Sequence, residues 1–315
     1  MAQLLVIKSI KVVTERVRML TLAAANGGEL PGYCAGAHLD FDIEGIGTRS
    51  YSLVDFEAPG NAPESYRIAV QREDDGDGGS VAMHQLAVGD QITASLPKND
   101  FALNDDGRPA LLLAGGIGVT PIISFAAELT HRGAQFAFHY ATRSESVCTF
   151  KERLTDAFQS NLSLWFDDAD PIDLKTLVSG TNPETHIFCC GPKGMIEAVR
   201  ELGEAAGFPK EQIHFELFAS PASHAGDQPF EIEISSTGQV FSIPADKTIV
   251  EVLEAEGVDV MYDCQRGDCG ICQTNIVSGE PDHRDVVLSE SERASGKVMQ
   301  ICVSRAKSPR LVLDI

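Results

Sequence analysis

The sequence predicts a multidomain chain in which an antiparallel β-barrel is followed by an α/β domain with a parallel sheet and then by a C-terminal α+β domain. The chain has 315 residues, which exceeds what one hydrophobic core usually organises. Its first third consists of short β-rich runs broken by Gly, Asp and Asn, and its middle alternates apolar runs with helical patterns. Its last quarter contains four of the eight cysteines, which indicates a metal site there.

The elements follow in order along the chain. Residues 1–103 form the barrel, because runs such as VRMLTLAA, HLDFDI and YRIAVQR recur at the spacing of antiparallel strands. Residues 104–218 form the α/β domain, in which the strand pattern PALLLAGGIG precedes the helical pattern TPIISFAAELTHRG. Residues 219–228 have the small, polar composition of an exposed linker. Residues 229–315 begin with a hairpin that turns near Thr237 and Gly238, and they contain the cysteine cluster.

Composition and charge exclude several classes of protein. Hydrophobic residues at 43% and charged residues at 23% are values of a globular chain. No apolar run approaches the ~20 residues that cross a bilayer, and the first residues lack a signal peptide, so we expect a soluble, cytoplasmic protein. The net charge of −21 repels phosphate backbones and anionic membranes, which excludes nucleic acid as the main partner. The acidity either serves solubility or steers a basic protein partner.

The cysteine spacing is the sharpest signal. Cys264, Cys269 and Cys272 follow the pattern C-x4-C-x2-C, and Cys302 comes 30 positions later, which is the plant-type 2Fe–2S arrangement. Gly267 in the same loop, like Gly270, suits a backbone that wraps a cluster, because glycine permits positive φ and close approach. The alternative is a zinc site or buried free cysteines, although a second C-x2-C pair is missing around Cys302. Outside the pattern, Cys34 and Cys148 are expected to be packed hydrophobes.

Two glycine-containing turns indicate a dinucleotide site. The first, from Gly115 to Pro121, follows a predicted strand and opens a predicted helix, where backbone N–H groups can hold a pyrophosphate. Its spacing is not G-x-G-x-x-G, so an ordinary βα turn remains the alternative. The second turn, Cys190-Gly191-Pro192, ends another strand, and ligands of open parallel sheets bind at the carboxyl ends of strands.

Two segments of the barrel are flavin candidates. Arg49-Ser50-Tyr51-Ser52 combines a cation for a phosphate with an aromatic ring that can stack on or hydrogen-bond to a flavin. Packing is the alternative for Tyr51. Gly78-Gly79-Ser80 precedes a short helical segment, so it is a candidate for a second phosphate, with Ser80 as the helix cap. An ordinary capped turn is the alternative.

Taken together, the R-x-Y-S segment, GGIGVTP, CCGP, HFELF and the cysteine pattern resemble the phthalate dioxygenase reductase family. That family includes the reductases of vanillate-type O-demethylases and related Rieske oxygenases, and the resemblance covers essentially the whole chain. It implies the order of a flavin barrel, an NAD domain and a plant-type ferredoxin (β-grasp) domain. It also implies FMN, NADH and a 2Fe–2S cluster as cofactors.

The resemblance carries over to individual positions. The implied flavin contacts are Arg49, Ser50, Tyr51, Ser52, Val70, Gln71 and Arg72, with Gly78, Gly79 and Ser80 as the FMN phosphate loop. The implied nicotinamide nucleotide contacts are Gly115, Gly116, Gly118, Thr120, Cys190 and Gly191. Phe218 resembles the aromatic residue that covers the flavin until nicotinamide enters, and a core Phe is its alternative reading. Asp77 departs from the family pattern, which often has a basic residue there, and we expect its side chain to point to solvent.

The implied function is an NADH-dependent reductase component of a Rieske-type oxygenase or O-demethylase. Hydride delivers two electrons and a 2Fe–2S cluster accepts one at a time, so a flavin between them explains the three domains. No acid–base catalytic residue is assigned. The partner is a terminal oxygenase, which would also bind the organic substrate. The alternatives are a reductase for a haem-thiolate monooxygenase and a non-catalytic redox sensor.

The choice between NADH and NADPH depends on opposed charges near the predicted adenosine ribose. Arg143 would neutralise a 2′-phosphate, whereas Asp167 and Asp168 would repel it and accept a hydrogen bond from a free 2′-hydroxyl. Two carboxylates against one guanidinium predict NADH. A solvated turn before Pro171 is the alternative reading of the two aspartates.

Overall fold

The computed structural model describes residues 2–58, 60, 62–218 and 226–315. The chain divides into two compact units, Met1–Glu216 and Leu217–Ile315. Of the predicted linker 219–228, residues 219–225 lie outside the described residues. The predicted domain boundary after residue 103 falls inside the first unit, between two of its strands, and stays a prediction. Among the described helices, none is long and apolar enough to span a bilayer.

The first unit begins with a six-stranded antiparallel sheet, as the alternating sequence pattern predicts. Its strands are β1 (Ala2–Val12), β2 (Val17–Ala24), β3 (His38–Ile43), β4 (Gly47–Ser52), β5 (Tyr66–Gln71) and β6 (Gln91–Ser95), in the order β4-β3-β6-β1-β2-β5. The helix α1 (Gly79–Gln85) follows β5. Just past the end of β4, Leu53 forms a bridge to Ile68 of β5, so the two edge strands meet and the sheet is barrel-like. Alternate residues of β5, such as Tyr66 and Ile68, are fully buried in the barrel core.

A five-stranded parallel sheet completes the first unit. Its strands are β7 (Ala110–Gly115), β8 (Phe136–Thr142), β9 (Leu162–Phe166), β10 (His186–Cys190) and β11 (Ile213–Glu216), in the order β11-β10-β7-β8-β9. Its helices are α2 (Val119–Arg132), α3 (Lys151–Phe158), α4 (Leu174–Ser179) and α5 (Lys193–Ala205). The order reverses between β7 and β10, so this sheet has a switch point at the carboxyl ends of those two strands. Ligands of such folds bind there.

The barrel and the parallel sheet share apolar packing. Phe101, which follows the barrel, packs against Phe125 of α2 and Phe188 of β10, with ring centroids 4.9 Å and 6.1 Å away respectively. A Cβ atom on Gly36 would lie 2.0 Å from the Phe101 carbonyl oxygen and 2.7 Å from the Phe125 ring. Only glycine permits this approach, which holds the two sheets of the first unit in one body.

The second unit is a mixed sheet with short helices. Its strands are β12 (Phe230–Ile234), β13 (Val240–Ile243), β14 (Gln273–Ser278), β15 (Pro281–Asp282), β16 (Val298–Gln300), β17 (Arg305–Ala306) and β18 (Arg310–Leu313). The helices are α6 (Ile249–Ala255) and α7 (Glu290–Ser295), and the main sheet has the order β13-β12-β18-β14-β16. The predicted hairpin is confirmed: β12 and β13 are antiparallel, and Gly238 in their turn has a φ of 72°. A capping box between Thr248 and Glu251 starts α6.

A buried ion-pair network fixes the beginning of the second unit to its core. Arg284 makes two hydrogen bonds to Asp227, at 2.6 and 2.8 Å, and one to Asp282 at 2.9 Å. Arg305 lies 3.6 Å from Asp227, stacks over the Phe230 ring at 4.9 Å, and donates to three backbone carbonyls. Because Asp227 lies between two buried guanidinium groups, it offsets the cost of burying both.

We expect Asp227→Ala to lower the free energy of unfolding of the second unit by about 3 kcal/mol, since it leaves buried guanidinium groups with fewer carboxylate partners. Native-state hydrogen exchange of the backbone amides of β12 and β18 measures the change. Glu231→Ala is the control: it removes an exposed partner of Arg310, and we expect a much smaller effect. Equal effects of the two substitutions would contradict the role given to the buried network.

Candidate functional site

The four cysteines of the predicted cluster come together in the second unit. Cys264, Cys269 and Cys272 lie on the loop between α6 and β14, and Cys302 follows β16. Hydrogen bonds link the Cys264 side chain with those of Cys269 and Cys302, and link Cys302 with Cys272. The thiols of Cys269 and Cys302 lower the pKa of Cys264 well below its usual range by donating to its sulfur. The four sulfurs therefore form one connected group.

The loop reaches this shape through glycine and through backbone hydrogen bonds. Gly267 and Gly270 both have a φ of 79°, and a Cβ on Gly267 would lie 2.6 Å from Val303 and 3.1 Å from the Asp285 backbone. The Gly267 carbonyl accepts the Val286 N–H at 3.0 Å. The Arg266 N–H donates to the Cys264 sulfur at 3.3 Å, so a backbone amide of the loop faces a sulfur.

The donor set fits a dinuclear iron–sulfur group. Among the described residues, no three or more His, Cys, Asp or Glu side chains are arranged as a site for a single metal ion. Four cysteine side chains lie in one connected group, with Cys302 linked to both Cys264 and Cys272. A 2Fe–2S cluster takes four thiolates, two for each iron, so this group has the required number of ligands.

The two glycine-containing turns meet at the switch point of the parallel sheet. Gly115 ends β7, a single 3-10 turn covers Gly116–Gly118, and α2 begins at Val119. A Cβ on Gly118 would lie 2.3 Å from the Cys190 carbonyl oxygen, and one on Gly191 would lie 3.1 Å from the Gly115 backbone. These contacts leave no room for a side chain, so the two turns pack backbone against backbone.

The remaining residues of this site have defined roles in the turn. The Thr120 hydroxyl donates to the Ile117 carbonyl at 3.0 Å, which stabilises the first turn. Gly116 has a φ of 54°. Apart from its two chain neighbours, no described residue has an atom within 4 Å of the position that a Cβ would take, so the space beside Gly116 is open. All six predicted nucleotide contacts therefore lie at the carboxyl ends of β7 and β10 or at the start of α2, where ligands of such sheets bind.

The flavin candidates of the barrel lie on β4, β5 and the start of α1. A Cβ on Gly79 would lie 2.7 Å from Cγ and 2.8 Å from Nε of Arg49, so the Arg49 side chain crosses the glycine turn. The predicted phosphate loop and the predicted phosphate-binding cation are thus adjacent. Asp77 is 93% exposed, as expected, and its carboxylate lies 3.7 Å from the Arg49 guanidinium.

Tyr51 and Ser52 have free hydrogen-bonding capacity. Burial raises the pKa of Tyr51 to about 12, so its phenol is neutral and able to donate. The ring also packs edge-on against Phe41 with centroids 5.8 Å apart. The Ser52 hydroxyl is buried and has no hydrogen-bond partner among the described residues. A buried orphan hydroxyl on the same strand as Arg49 fits a polar ligand.

Several predicted side chains are engaged elsewhere. Ser80 is not the cap of α1: Gly78 occupies that position, and the Ser80 hydroxyl accepts the Glu73 N–H at 2.9 Å. The prediction missed this because the acidic loop folds back onto the helix. The Ser50 hydroxyl donates to Asp40 at 2.5 Å. The Gln71 and Arg72 side chains bind Glu73 and Asp74 respectively, and Val70 is fully buried in the barrel core with its carbonyl 2.8 Å from the His84 ring.

The charged residues of the predicted ribose site are adjacent. Backbone N–H groups of Asp167 and Asp168 donate to the carbonyls of Thr142 and Arg143, at 3.0 and 3.3 Å. All three charged side chains are exposed at the carboxyl ends of β8 and β9. Phe218 lies in the second unit and is 41% exposed, next to Leu217, whose N–H donates to Asp268 of the cysteine loop at 2.9 Å.

Sequence reasoning missed two polar residues beside the cysteines. Asp268 has a side chain only 4% exposed, and burial raises its pKa to about 7. Gln300 has no exposed surface and lies against Cys272. The signal for Gln300 was available in the run VMQIC, because a lone amide in an apolar strand requires a buried partner.

Comparisons with known proteins agree with this geometry. A sequence model described as "2Fe-2S iron-sulfur cluster binding domain" matches residues 232–307. The chain is 39% identical to vanillate O-demethylase oxidoreductase of Pseudomonas sp. (strain HR199 / DSM 7063), over 98% of this chain and 99% of that protein. It is 37% identical to phthalate dioxygenase reductase of Burkholderia cepacia, over 93% and 91% of the two chains.

A solved structure shows the same architecture. The structure of phthalate dioxygenase reductase, described as modular for electron transfer from pyridine nucleotides to [2Fe–2S], superposes with a TM-score of 0.74 at 35% identity. The superposition covers 100% of this chain and 98% of that one. The fold and the sites thus define an oxidoreductase of the electron-transfer class. The chain belongs to the phthalate dioxygenase reductase-like family.

We expect Gly118→Ala to raise the KM for NADH at least about tenfold, or roughly 1.4 kcal/mol, because the new Cβ would collide with the Cys190 backbone and separate the two turns. Steady-state NADH oxidation with ferricyanide measures it, with the melting temperature recorded in parallel. Gly194→Ala is the matched control, since no atom of the described chain lies within 4 Å of its Cβ position and alanine favours the helix α5. The same KM in both variants would show that the turns do not bind the nucleotide.

Proposed function

We propose that the chain is the NADH-dependent reductase component of a Rieske-type oxygenase or O-demethylase, and that electrons pass from NADH through FMN and a 2Fe–2S cluster to the oxygenase. The observation that carries the proposal is the convergence of four cysteine side chains in a chain that also packs two glycine-containing turns together at a sheet switch point. The relatives support it, since their names are those of a demethylase oxidoreductase and a dioxygenase reductase.

The role of each cofactor follows from the number of electrons that it accepts or donates. A hydride carries two electrons and a 2Fe–2S cluster takes one, and a flavin supplies the chemistry that connects the two. We assign the flavin to the predicted barrel, residues 1–103, and the nucleotide to residues 104–218. We assign the cluster to residues 229–315, which include the segment matched as a cluster-binding domain. The flavin module comes first in the chain, although the flavin receives its electrons from the nucleotide bound by the second module and passes them to the cluster of the third.

The residues of the chain bind and orient, and none is needed as an acid or base. Arg49 offers a guanidinium beside the Gly78-Gly79 turn, while Tyr51 and Ser52 offer neutral hydroxyl groups along β4. The turns at Gly115 and Cys190 offer backbone N–H groups to the pyrophosphate. Cys264, Cys269, Cys272 and Cys302 offer the thiolates for two irons.

The state of the cysteines indicates the cellular compartment, and the names of the relatives indicate the electron acceptor. All eight cysteines are described and none forms a disulfide, which is typical of proteins in a reducing compartment, and we place this reductase in the cytoplasm. Its electron acceptor is a terminal oxygenase, and the organic substrate binds there. The two relatives described above, which are named for a demethylase and a dioxygenase, favour an oxygenase acceptor over a haem-thiolate partner or a non-catalytic sensor.

The order of electron flow is tested by Cys269→Ser. If the flavin accepts the hydride directly, this variant retains NADH-driven ferricyanide reduction within about twofold. It loses cytochrome c reduction at least about tenfold, because a damaged cluster no longer passes single electrons. Cys34→Ser is the control, since Cys34 lies outside the motif and is exposed in the loop between β2 and β3, where the sequence had wrongly predicted a packed side chain. Equal loss of both activities with flavin still bound would contradict the proposed order.

The preference for NADH is tested by the double variant Asp167→Ala, Asp168→Ala. A like-charge contact at ~4 Å costs about 1 kcal/mol in a solvent-like dielectric, so the variant should gain about fivefold or more in kcat/KM for NADPH relative to NADH. Asp105→Ala is the control: it removes one exposed charge before β7, at the amino ends of the strands. Preference of the wild type for NADPH, or an unchanged ratio in the double variant, would overturn the assignment.

A further inference from the structure

Gln300 is a buried polar residue beside the cysteines that the electron path does not account for. It is the last residue of β16, two positions before Cys302, and it has no exposed surface. Its neighbours in sequence, Met299 and Ile301, are buried in the apolar core of the second unit. A primary amide in such surroundings costs free energy unless its oxygen and its nitrogen both have hydrogen-bond partners.

The partners of the Gln300 side chain connect a cluster ligand to the surface. Oε1 of Gln300 accepts from the Cys272 thiol at 3.3 Å, and Nε2 donates to Oε1 of Gln273 at 3.3 Å. Gln273 is the residue opposite Gln300 in the antiparallel pair of β14 and β16, and it is exposed. The amide therefore lies between a sulfur atom and a second amide that is free to reorient.

Iron binding would change the hydrogen-bonding role of the Cys272 sulfur from donor to acceptor. A thiol donates a hydrogen bond, whereas a thiolate bound to iron carries no hydrogen and only accepts. A carbonyl oxygen facing that sulfur would then be unpaired and repelled. A half-turn of the Gln300 amide exchanges oxygen and nitrogen in the same volume. The exposed Gln273 turns likewise, so that the Gln300 oxygen again has a donor.

We propose that Gln300 is a positioning residue of the cluster, whose amide N–H donates to the Cys272 sulfur and raises the reduction potential of the cluster. The inference rests on the proposed function, since it needs the 2Fe–2S cluster on these cysteines. Reduction adds negative charge to the cluster and its sulfurs, so a donor at a sulfur stabilises the reduced form. The cluster thereby becomes a better acceptor for electrons from the flavin.

The test compares Gln300→Met with Gln273→Met in the intact, cluster-loaded protein. Methionine has nearly the length of glutamine and no N–H, so Gln300→Met removes the donor with little change in packing. Gln273→Met removes the outer partner and leaves the amide at the sulfur. Anaerobic redox titration, followed by the electron paramagnetic resonance signal of the reduced cluster, gives the midpoint potential. The flavin potential, read from its absorbance, is the internal control.

We expect Gln300→Met to lower the equilibrium constant for cluster reduction at least about threefold, or ~28 mV for one electron, with the flavin potential unchanged. Gln273→Met should give a smaller shift. If Gln300→Met does not retain the cluster, Gln300→Glu repeats the test, because it keeps the shape and replaces the amide hydrogens by a carboxylate, which lowers the potential further.

Two outcomes separate the inference from the function on which it rests. A cluster-loaded Gln300 variant with the wild-type potential, or equal shifts in the Gln300 and Gln273 variants, overturns the role of the amide and leaves the reductase assignment intact. Wild-type protein without two irons and two acid-labile sulfides per chain overturns the reductase assignment itself.

Discussion

Everything in the second unit depends on the convergence of four sulfur atoms from one loop and one strand end. The packing of four thiols at hydrogen-bond distance contributes too little stability to offset the backbone strain around them. The strained residue of the loop is Gln265, a non-glycine residue at a φ of 53°, whereas Gly267 and Gly270 adopt their φ of 79° without strain. Such strain persists only where the surroundings fix the chain, and it concentrates at functional sites. The glycine contacts with Val303 and Asp285 supply that constraint.

Half of the basic residues of the second unit have largely buried side chains. Of its eight basic residues, Arg266, Arg284, Arg293 and Arg305 have side chains that are at most 23% exposed. Its carboxylates on α6, such as Glu251, Glu254 and Glu256, are exposed. Three carboxylates, Asp227, Asp268 and Asp285, are buried with these cations, and the remaining acidic residues outnumber the remaining basic ones, so the surface of the unit is negatively charged. Attraction of a basic electron acceptor to this surface stays a prediction.

Much of the fold and part of the site could be predicted from the sequence, because their signals are periodic or spaced. The alternation of apolar residues predicted the barrel strands. A glycine turn directly after a strand predicted the site at the carboxyl ends of the parallel strands. The C-x4-C-x2-C spacing predicted the convergence of the cysteines. The residue types of the Arg49-Ser50-Tyr51-Ser52 segment predicted a flavin contact, and the environment of Arg49, Tyr51 and Ser52 in the structure fits a polar ligand.

What the sequence could not show are side-chain partners set by tertiary folding. Ser80 reads as a helix cap, but the acidic loop that folds over it supplies the Glu73 N–H. Ser50 reads as a ligand contact, but the neighbouring strand presents Asp40 to it. Gln300 reads as a strand residue, and its contact with Cys272 depends on a register between distant strands. Such pairings require the three-dimensional structure because no local pattern encodes them.

The central claim is that one chain takes a hydride and releases single electrons. Anaerobic titration of the purified protein with NADH, followed by absorbance, measures it directly. A flavin that holds two electrons and a cluster that holds one require ~1.5 equivalents of NADH for full reduction, with flavin and cluster bleaching in the same titration. An end point near one equivalent with an oxidised cluster, or a protein that NADH does not reduce, would contradict the account.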